Sequence, residues 1–582
     1  MTSNPYEHKL TRFDRQFFTG KEKFTFIGGG SIGGKAQGLA RMKEIIEDNA
    51  NFLEFKNIEV RIPTLTVIAT DFFDMFMKQN DLYEIALSDA RNDLKSHAFQ
   101  KADLPVQLVG DLRALIEQVH TPLAIRSSSM LEDAMFEPFA SVYATKMIPN
   151  NQFSPDQRFR KLVEAVKFIW ASTFFTDAAN YIKSTKHKTT DEKMAVVIQE
   201  VVGSRFNDRF YPHICGVARS HNFYPAGGAK AEDGIVDLAL GLGKIIVDDG
   251  VAWPFSPSRP KADPPFKSMN DMLKNTQTEF WGINMGKPPE FNPIKETEYM
   301  NRYNLSDAEY DGSLKHIAST LRSDDGRLVI GTGFKGPRVL NFAPILQLND
   351  IPLAPLVKKL LKICEEELGS LVEIEFAVTL DKKHGAPANF GFLQVRPMVV
   401  SHGGVEVTEN ELNGNNLVLS SDKVLGNEVI DDIRDIVYVK RDSFKASETY
   451  SMVPQLEEIN NNIVTKNRRF VLIGFGRWGT TDPVAGIPVN FGQVSGAKVM
   501  VEATLPDMNF QLSQGSHFFH NVTSFKVCYF SVYHWGQYNI NWSWLDNQKA
   551  VKESKHIRHI SLEKPLLIKV DGKTGRGVIK YE

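Results

Sequence analysis

Apolar positions follow two different periods along this chain, and both recur from one end of the sequence to the other. Short apolar runs such as VRIPTLTVIAT (60–70) and KVCYFSVYHW (526–535) predict strands. Leu39, Met42 and Ile45 recur at helical spacing and predict a helix with one face packed on a sheet. Strand and helix patterns are mixed throughout, which predicts an α/β or mixed α+β fold.

One pair of predicted strands concentrates polar side chains on a single face. In LVEIEFAVTL, Glu373 and Glu375 fall on one face and the opposite face is apolar. In FGFLQVRPM, the same alternation puts Phe392, Gln394 and Arg396 on a common face. If the two strands pair, these polar groups cluster, and their oxygens suit Mg²⁺. The alternative is a solvated hairpin face.

Breaks in the pattern suggest how the chain is divided. The stretch SHGGVEVTENELNGNN (401–416) is rich in Gly, Asn and Glu and follows an apolar strand, as a domain linker would. We therefore predict a large domain at 1–400, a linker at 401–416 and a smaller mixed domain at 417–582. The last of these ends in a predicted hairpin around Asp571 and Gly572.

Composition narrows the class of protein. A chain of 582 residues with 42% hydrophobic and 24% charged residues is typical of a globular protein of about three or four domains. The net charge of −2 argues against nucleic-acid binding through a broad basic surface. Three cysteines without a CxxC pair suggest neither a zinc site nor a disulfide framework. We see no signal peptide and no membrane span, and expect a cytoplasmic protein without a membrane partner.

The glycine-rich stretch FIGGGSIGGKAQGLA (26–40) nearly fits two phosphate-binding motifs. From residue 28 it matches G-x-G-x-x-G, but no strand supplies the acidic residue that this motif needs about 20 residues later. From residue 29 it matches most of a P-loop, but Ala36 stands where Ser or Thr would hold Mg²⁺. Both motifs share backbone amides at a helix start, to which Lys35 adds a full charge. The alternative is a flexible turn with a solvated lysine.

A second cation follows an apolar run in PLAIRSSSMLEDAMFEPFASVYAT (122–145). The strand pattern stops at Arg126, and three serines follow. A planar, permanently charged guanidinium beside hydroxyl groups suits a polyphosphate. The alternative is that Arg126 pairs with Glu132 or Asp133.

Together these stretches resemble the nucleotide-binding domain of the phosphoenolpyruvate synthase and pyruvate phosphate dikinase family, which has the ATP-grasp fold. GGKAQGLARM is similar to the family's opening Gly-Gly-Lys motif, and AIRSSSMLEDAMFEPFAS to its Arg-Ser-Ser motif. EIEFAV and FLQVRPM resemble its closing motifs, and IPTLTVIATDFF, FIWASTFFTDAANY, MAVVIQEVV and LALGLGK have counterparts in order. The resemblance covers about residues 20–400 and implies a two-lobed ATP-grasp domain that binds ATP and Mg²⁺.

The resemblance also implies a role for seven side chains. Three cations would bind ATP phosphates, two oxygen ligands would hold Mg²⁺ with a further carboxylate beside them, and one strand residue would flank the adenine. The phosphate-binding cations are Lys35, Arg126 and Arg396. The Mg²⁺ ligands are Glu375 and Gln394, with Glu373 beside them, and the residue that flanks the adenine is Gln199.

Three positions depart from the family's pattern. Ser141 replaces a glycine, Lys244 a glutamate after GLG, and Glu373 an aspartate. ATP binding depends less on these positions than unaltered catalysis does.

In that family a mobile, swivelling domain follows, and its histidine carries a phosphoryl group. Here SQGSHFFHNVTSF (513–525) is the candidate stretch, and His517 at a predicted helix start is the candidate catalytic residue. A neutral imidazole is a competent nucleophile. His520 is a rival, and a structural histidine among aromatic residues is the alternative.

The second domain has another unusual stretch, LIGFGRWGTTDPVAGIPV (472–489). Its glycines suggest a tight loop that presents Arg477 to an anion or a phosphohistidine. The alternative is a glycine-rich turn around a packed Trp478.

We therefore predict an ATP- and Mg²⁺-dependent phosphotransferase, with a small molecule or a separate protein as its unidentified phosphoryl acceptor. A nucleotide-binding regulatory or scaffold protein is the main alternative, and an ATP-grasp ligase a third. Only 186 residues (582 − 396) follow Arg396, fewer than a carrier domain and a (β/α)8 barrel of roughly 250 residues need. We therefore do not expect this chain alone to make phosphoenolpyruvate.

Overall fold

Strands and helices follow one another through the whole of the computed structural model, so the predicted mixed α/β fold is confirmed. Contacts divide the chain into two units. The first is Met1–Ala134, Pro138–Ile246 and Val251–Pro397; the second is Met135–Glu137, Val247–Gly250 and Met398–Glu582. The structure describes residues 10–582 except 49–51, 53, 131, 133–141, 184–186, 224, 226–227, 249, 263–267, 381–384, 399–403, 481, 483, 507 and 509–515.

Sixteen α-helices lie in the described residues. They are α1 Gly33–Asp48, α2 Thr70–Gln79, α3 Tyr83–Leu87, α4 Asn92–Lys101, α5 Val106–Gln118, α6 Pro155–Ser172, α7 Thr176–Lys183, α8 Lys244–Val247, α9 Met269–Lys274, α10 Leu305–Tyr310, α11 Ala343–Leu346, α12 Leu353–Leu368, α13 Glu409–Leu412, α14 Thr449–Val464, α15 His517–Ser524 and α16 Trp542–Asn547.

The first unit holds nineteen described strands. They are β1 Thr11–Arg12, β2 Phe24–Ile27, β3 Ile58–Arg61, β4 Leu65–Ile68, β5 Leu123–Ser129, β6 Thr145–Ile148, β7 Met194–Glu200, β8 Ser204–Phe206, β9 Arg209–Tyr211, β10 Ile214–Arg219, β11 Ile235–Ala239, β12 Trp253–Phe255, β13 Glu279–Asn284, β14 Met300–Asn304, β15 Ser319–Leu321, β16 Leu328–Ile330, β17 Arg338–Val339, β18 Val372–Thr379 and β19 Ala388–Pro397.

Two six-stranded sheets form the framework of this unit. The first has the order β1-β2-β4-β7-β5-β6 and the second β12-β11-β10-β18-β19-β3. One apolar core contains side chains of both sheets and of α1 and α12. The predicted apolar face of α1 lies in it, since Leu39 and Met42 are buried. Smaller sheets, β14-β13-β9-β8 and β16-β15-β17, complete the unit.

The second unit holds thirteen described strands. They are β20 Leu417–Ser421, β21 Val424–Leu425, β22 Asn427–Ile430, β23 Asp435–Val439, β24 Phe470–Phe475, β25 Arg477–Trp478, β26 Gly486–Ile487, β27 Ala497–Ala503, β28 Cys528–Val532, β29 Ala550–Glu553, β30 Ile557–Ser561, β31 Leu567–Asp571 and β32 Arg576–Lys580.

A seven-stranded sheet, β21-β28-β27-β24-β23-β30-β29, dominates this unit. Its four central strands, β28, β27, β24 and β23, run parallel. Helix α14 joins β23 to β24 and α15 joins β27 to β28, as parallel connections require. A second sheet, β20-β32-β31-β22, contains the predicted C-terminal hairpin of β31 and β32. Strands β25 and β26 pair separately.

The segment predicted as a linker, 401–416, is packed where it is described. Val407 and Leu412 are buried and form a small apolar cluster with Val578. Lys569 donates to Glu411 over 2.8 Å, which lowers the pKa of that carboxyl to about 2. Residues 404–416 are therefore part of the folded second unit, and the domain boundaries stay a prediction.

None of the described helices combines the length and the apolar character that spanning a bilayer requires.

The start of α1 lies against backbone, which explains two of the glycines. A Cβ on Gly34 would lie 1.9 Å from the carbonyl oxygen of Glu132, and one on Gly33 would lie 1.8 Å from that of Ser128. Gly33 also has φ +76°, a conformation that side chains disfavour. The close approach of β5, at Ser128, and of the chain just after it, at Glu132, therefore requires glycine at both positions.

Gly34→Ala is expected to lower the free energy of unfolding by about 1–3 kcal/mol, because the new methyl group overlaps a backbone oxygen that cannot rotate away. Chemical denaturation measures this. Gly333→Ala is the matched control, since its Cβ would meet nothing within 4 Å. Equal stability of the two variants would contradict the close approach at Gly34.

Candidate functional site

Strands β18 and β19 pair, so the condition stated for the polar cluster is met, and their register builds the centre of the candidate site. Glu373 lies opposite Arg396, and Glu375 lies opposite Gln394. Residues directly opposite in an antiparallel pair share a face of the sheet. Two carboxylates, an amide and a guanidinium therefore lie on one face.

Phe392 does not belong to this face, so that part of the prediction is wrong. The register shifts between Glu375 and Phe376, and Phe392 lies opposite Phe376. Leu393 is the extra residue of a β-bulge, which reverses the alternation of β19. Phe392 is fully buried in the apolar core as a result.

Arg126 reaches this cluster from the other six-stranded sheet. Strand β5 does not stop at Arg126, as the sequence pattern suggested, but continues through the three serines. One guanidinium nitrogen, Nη2, donates to Gln394 Oε1 over 2.6 Å and lies 3.8 Å from Glu375 Oε2. The other, Nη1, donates to the carbonyl oxygen of Leu393, the bulge residue, over 3.0 Å. The bulge thus supplies an acceptor that orients Arg126.

Gln199 lies beside Arg126 on the neighbouring strand β7. Its Oε1 accepts from Arg126 Nη1 over 3.3 Å, and the side chain is buried. Its Nε2 is buried and has no hydrogen-bond partner among the described residues. A buried donor without an acceptor is costly, and a polar ligand edge would satisfy it.

Glu373 is held by two arginines rather than one. Arg396 Nε donates to its Oε1 over 2.6 Å, and Arg396 Nη2 contacts the same oxygen. Arg219 Nε donates to its Oε2 over 2.6 Å. Sequence reasoning missed Arg219, although it follows the apolar run ICGVA much as Arg126 follows PLAI.

Lys35 forms a second, adjoining cluster at the end of the same strand, β5. Its Nζ donates to Glu132 Oε1 over 2.6 Å and to Ser127 Oγ over 3.3 Å. Glu132 is almost fully buried and also accepts from the Ser127 hydroxyl and the Ser129 amide. Glu132 therefore pairs with Lys35 and not, as the alternative had it, with Arg126; Asp133 and Ser141 lie outside the described residues.

Two amides of the glycine-rich loop already have acceptors. Gly29 N–H donates to Asp71 Oδ2 over 2.8 Å, and Ser31 N–H donates to Thr70 Oγ1 over 3.0 Å. Both acceptors belong to the first turn of α2. These amides anchor the loop to α2, and Lys35 in the first turn of α1 carries a full positive charge.

The oxygen donors of the cluster fit a hard divalent cation. Glu375 is 18% exposed at its side chain, whereas Glu373 is 3% exposed. Among the described residues, no group of three or more His, Cys, Asp or Glu could hold a metal by itself. Mg²⁺ commonly uses one or two protein carboxylates and takes its other ligands from water and phosphates, so Glu375 with the Gln394 amide oxygen suits it.

A second buried carboxylate lies behind the Lys35 cluster. The pKa of Glu192 is raised from 4.5 to about 7, mainly by burial and further by the nearby charge of Glu132, while hydrogen bonds from Ser129 and Tyr143 oppose the rise. Ser129 thus contacts both carboxylates. At neutral pH this site carries a carboxyl group close to its titration point.

Lys244, the second departure from the family's pattern, lies at the first turn of α8. Its Nζ forms an ion pair with Glu296 Oε2 at 3.8 Å.

The second unit contains the candidate histidine. Helix α15 begins at His517, and the Ser516 hydroxyl accepts from the Phe519 amide over 3.2 Å. The predicted helix start is therefore confirmed, and His517 is half-buried where His520 is buried.

The glycine-rich loop of this unit surrounds a packed tryptophan. Trp478 is buried, and its amide donates to Glu502 Oε1 over 3.2 Å. The Tyr529 hydroxyl donates to the same oxygen over 2.6 Å. Arg477 is half-buried, and its amide donates to the carbonyl oxygen of Ala485 over 2.8 Å.

The structure thus brings most of the predicted residues together and separates two of them. The contiguous cluster is Arg126, Gln199, Glu373, Glu375, Gln394 and Arg396, joined by the unpredicted Arg219. Lys35 belongs to the adjoining Glu132 cluster, and His517 to the other unit.

The chain matches one family model, described as pyruvate phosphate dikinase, AMP/ATP-binding domain, over residues 30–415. That range contains every residue of both clusters. No curated protein matches the chain.

Glu192→Gln is expected to stabilise the protein at pH 8, by up to about 3 kcal/mol, and to leave it nearly unchanged near pH 4.5. The unfolded chain loses the Glu192 proton near pH 4.5 and the folded chain only near pH 7. Wild-type stability therefore falls across this interval, and the variant removes that fall.

Denaturant unfolding at several pH values measures this difference. Glu200→Gln, on strand β7 of the same unit, is the control for the same Glu-to-Gln substitution at a different position. A stability gain of Glu192→Gln that does not grow with pH would contradict the assignment.

Proposed function

Since the chain belongs to the family of the pyruvate phosphate dikinase AMP/ATP-binding domain, we propose that it is an ATP- and Mg²⁺-dependent phosphotransferase whose first unit binds the nucleotide. The match confirms the family predicted from the sequence motifs. The proposal concerns the finer points: the metal, the residues that contact ATP, and the transfer of a phosphoryl group.

The observation that supports it most is the convergence of Arg126, Arg396, Glu375 and Gln394. They come from three strands of two different sheets, yet Nη2 of each arginine lies within 3.8 Å of Glu375. Cations beside an accessible carboxylate and an amide oxygen are the groups that a metal–polyphosphate complex requires.

In the proposed complex, the chain's cations neutralise the phosphates. Arg126, Arg396 and Lys35 bind phosphate oxygens, and the buried Nε2 of Gln199 donates to the base edge. Glu375 and Gln394 hold Mg²⁺, which supplies further neutralisation of the phosphate charge when bound. Phosphoryl transfer depends mainly on such positioning and neutralisation.

Nucleotide binding then requires an exchange of partners. Arg126 Nη2 donates to the same Gln394 oxygen that would ligate the metal, and Lys35 is paired with Glu132. Phosphate oxygens offer both cations a replacement partner. Movement of Arg126 to a phosphate leaves the Gln394 oxygen to the metal.

The second unit supplies the proposed phosphoryl carrier. A neutral imidazole nitrogen of His517 attacks phosphorus, a P–N bond forms, and a P–O bond of ATP breaks, so that the electron pair leaves with the nucleotide. The α15 helix start favours negative charge at this position. An acceptor of unknown chemistry, small molecule or protein, then takes the phosphoryl group.

Glu375→Gln is expected to weaken Mg-ATP binding about tenfold or more, because it removes the charged metal ligand. Titration calorimetry with and without Mg²⁺ measures this. Glu59→Gln is the matched control, since Glu59 is exposed on β3 of the same sheet. Wild type that binds no Mg-nucleotide would refute the proposed function.

Incubation with γ- and β-labelled ATP tests the carrier step. An acid-labile label is expected on wild type and on His520→Ala, and its loss on His517→Ala, with the label mapped to one peptide. Binding without labelling would favour a nucleotide-binding regulatory protein, and labelling that survives His517→Ala would exclude His517 as the carrier.

A further inference from the structure

Three charged side chains form a straight line across neighbouring strands of the second six-stranded sheet. Arg219 on β10 lies opposite Glu373 on β18, which lies opposite Arg396 on β19. The order of charge is therefore positive, negative, positive. Cross-strand neighbours of opposite charge stabilise one another, and here each outer member has the same central partner.

The line is buried along its whole length. The side chains of Arg219, Glu373 and Arg396 are 1%, 3% and 3% exposed. Buried charges are tolerated only when they are paired and hydrogen-bonded. The two carboxylate oxygens of Glu373 meet this requirement with different arginines. Oε1 of Glu373 accepts from Arg396 and Oε2 accepts from Arg219, each over 2.6 Å.

Arg219 also contacts a second carboxylate. Its Nη1 donates to Asp237 Oδ2 over 3.1 Å, and Asp237 is carried by the next strand, β11. The planar guanidinium fork therefore spans two carboxylates on two strands. With Nε and Nη1 both donating, rotation of Arg219 would break two hydrogen bonds at once.

The neighbouring carboxylate, Glu375, is in a different position. Its closest arginine contacts are longer, 3.7 Å to Arg396 Nη2 and 3.8 Å to Arg126 Nη2, and it is more exposed. Glu373 therefore accepts short hydrogen bonds on both oxygens, whereas Glu375, on the same face, lies at the more accessible side of the cluster.

We propose that Arg219 is a positioning residue of the nucleotide site: it holds Glu373 as a fixed bridge to Arg396, so that Arg396 is aimed at phosphate and Glu375 alone supplies the carboxylate to the metal. This inference rests on the proposed nucleotide-binding function. It explains by Arg219 why two carboxylates on the same face, Glu373 and Glu375, have different roles.

Binding of Mg-nucleotide to the full chain tests it. Arg219→Met is expected to lower the affinity for Mg-ATP about 10- to 100-fold, as loss of a residue that orients a ligand commonly does. Arg219→Lys keeps the charge but not the fork, and is expected to restore only part of the affinity. Calorimetry measures the affinity, and thermal unfolding measures the stability.

The Mg²⁺ concentration that gives half-maximal nucleotide binding separates positioning from stability. Glu375→Gln is expected to raise this Mg²⁺ concentration in the wild-type background. Glu373→Gln is expected to lower the nucleotide affinity without changing this Mg²⁺ concentration. With Arg219→Met, Glu373 is released to the metal, so the effect of Glu375→Gln is expected to shrink. A merely structural Arg219 would give additive effects in this double-mutant cycle.

Lys146→Met is the matched control for the loss of a buried ion pair in the same unit. Lys146 Nζ contacts Glu298 Oε2 at 2.6 Å, and the two side chains are 5% and 1% exposed. This variant is expected to lower the melting temperature and to bind Mg-ATP as wild type does.

The outcomes distinguish the two proposals. If wild type and Arg219→Met bind Mg-ATP equally well, the positioning role of Arg219 is overturned and the proposed function is not. Additive effects of Arg219→Met and Glu375→Gln overturn it as well. Wild type that binds no Mg-nucleotide overturns both proposals. Should Arg219→Met not fold, Arg219→Lys with wild-type affinity is the overturning result.

Discussion

A buried carboxylate between two guanidinium groups is the interaction on which the candidate site depends. Glu373 would be costly to bury as a lone anion, and Arg219 and Arg396 would be costly to bury as lone cations. Because each oxygen of Glu373 accepts from a different arginine, the three charges are tolerated together in the sheet. The direction of Arg396, and with it the polar face around Glu375, follows from this arrangement. Removing one partner of such a buried pair typically costs about 3–5 kcal/mol.

The same requirement governs the other cations of the first unit. Lys35 is paired with Glu132, and Arg126 donates to Gln394 and to the bulge carbonyl of Leu393. Each positive charge therefore has an internal partner that a phosphate could replace. When such a cation binds a ligand it exchanges partners, because each new contact with the ligand replaces a contact with a group of the protein. This favours ligands with several negative oxygens, which can compensate for several lost partners at once.

Two-residue alternation predicted that Glu373 and Glu375 share a face of one strand and that Gln394 and Arg396 share a face of the next, and the pairing of β18 and β19 brings the two sets together. The sequence pattern did not predict the bulge at Leu393, which moves Phe392 into the core, since the prediction assumed unbroken alternation along the strand. It also missed Arg219 as a partner of Glu373 and Lys35 as the partner of Glu132, for which Arg126 was only an alternative. Those contacts join segments about 100 to 150 residues apart, and only the folded register brings them together. The order of several motifs over a long stretch predicted the family, because these motifs include residues that contact one another only in the folded chain.

The glycine-rich loop shows why a short motif is weak grounds for a ligand. Glycines are needed wherever a main chain approaches another surface closely, and a phosphate is only one such surface. At Gly33 and Gly34 the surface is the protein's own backbone, at Ser128 and Glu132. The amides of Gly29 and Ser31 donate to the first turn of α2. The loop therefore fixes where α1 begins, and Lys35 in its first turn lies beside Glu132 for that reason. A glycine pattern of this kind therefore indicates where the helix and its lysine lie more directly than it indicates a phosphate-binding loop.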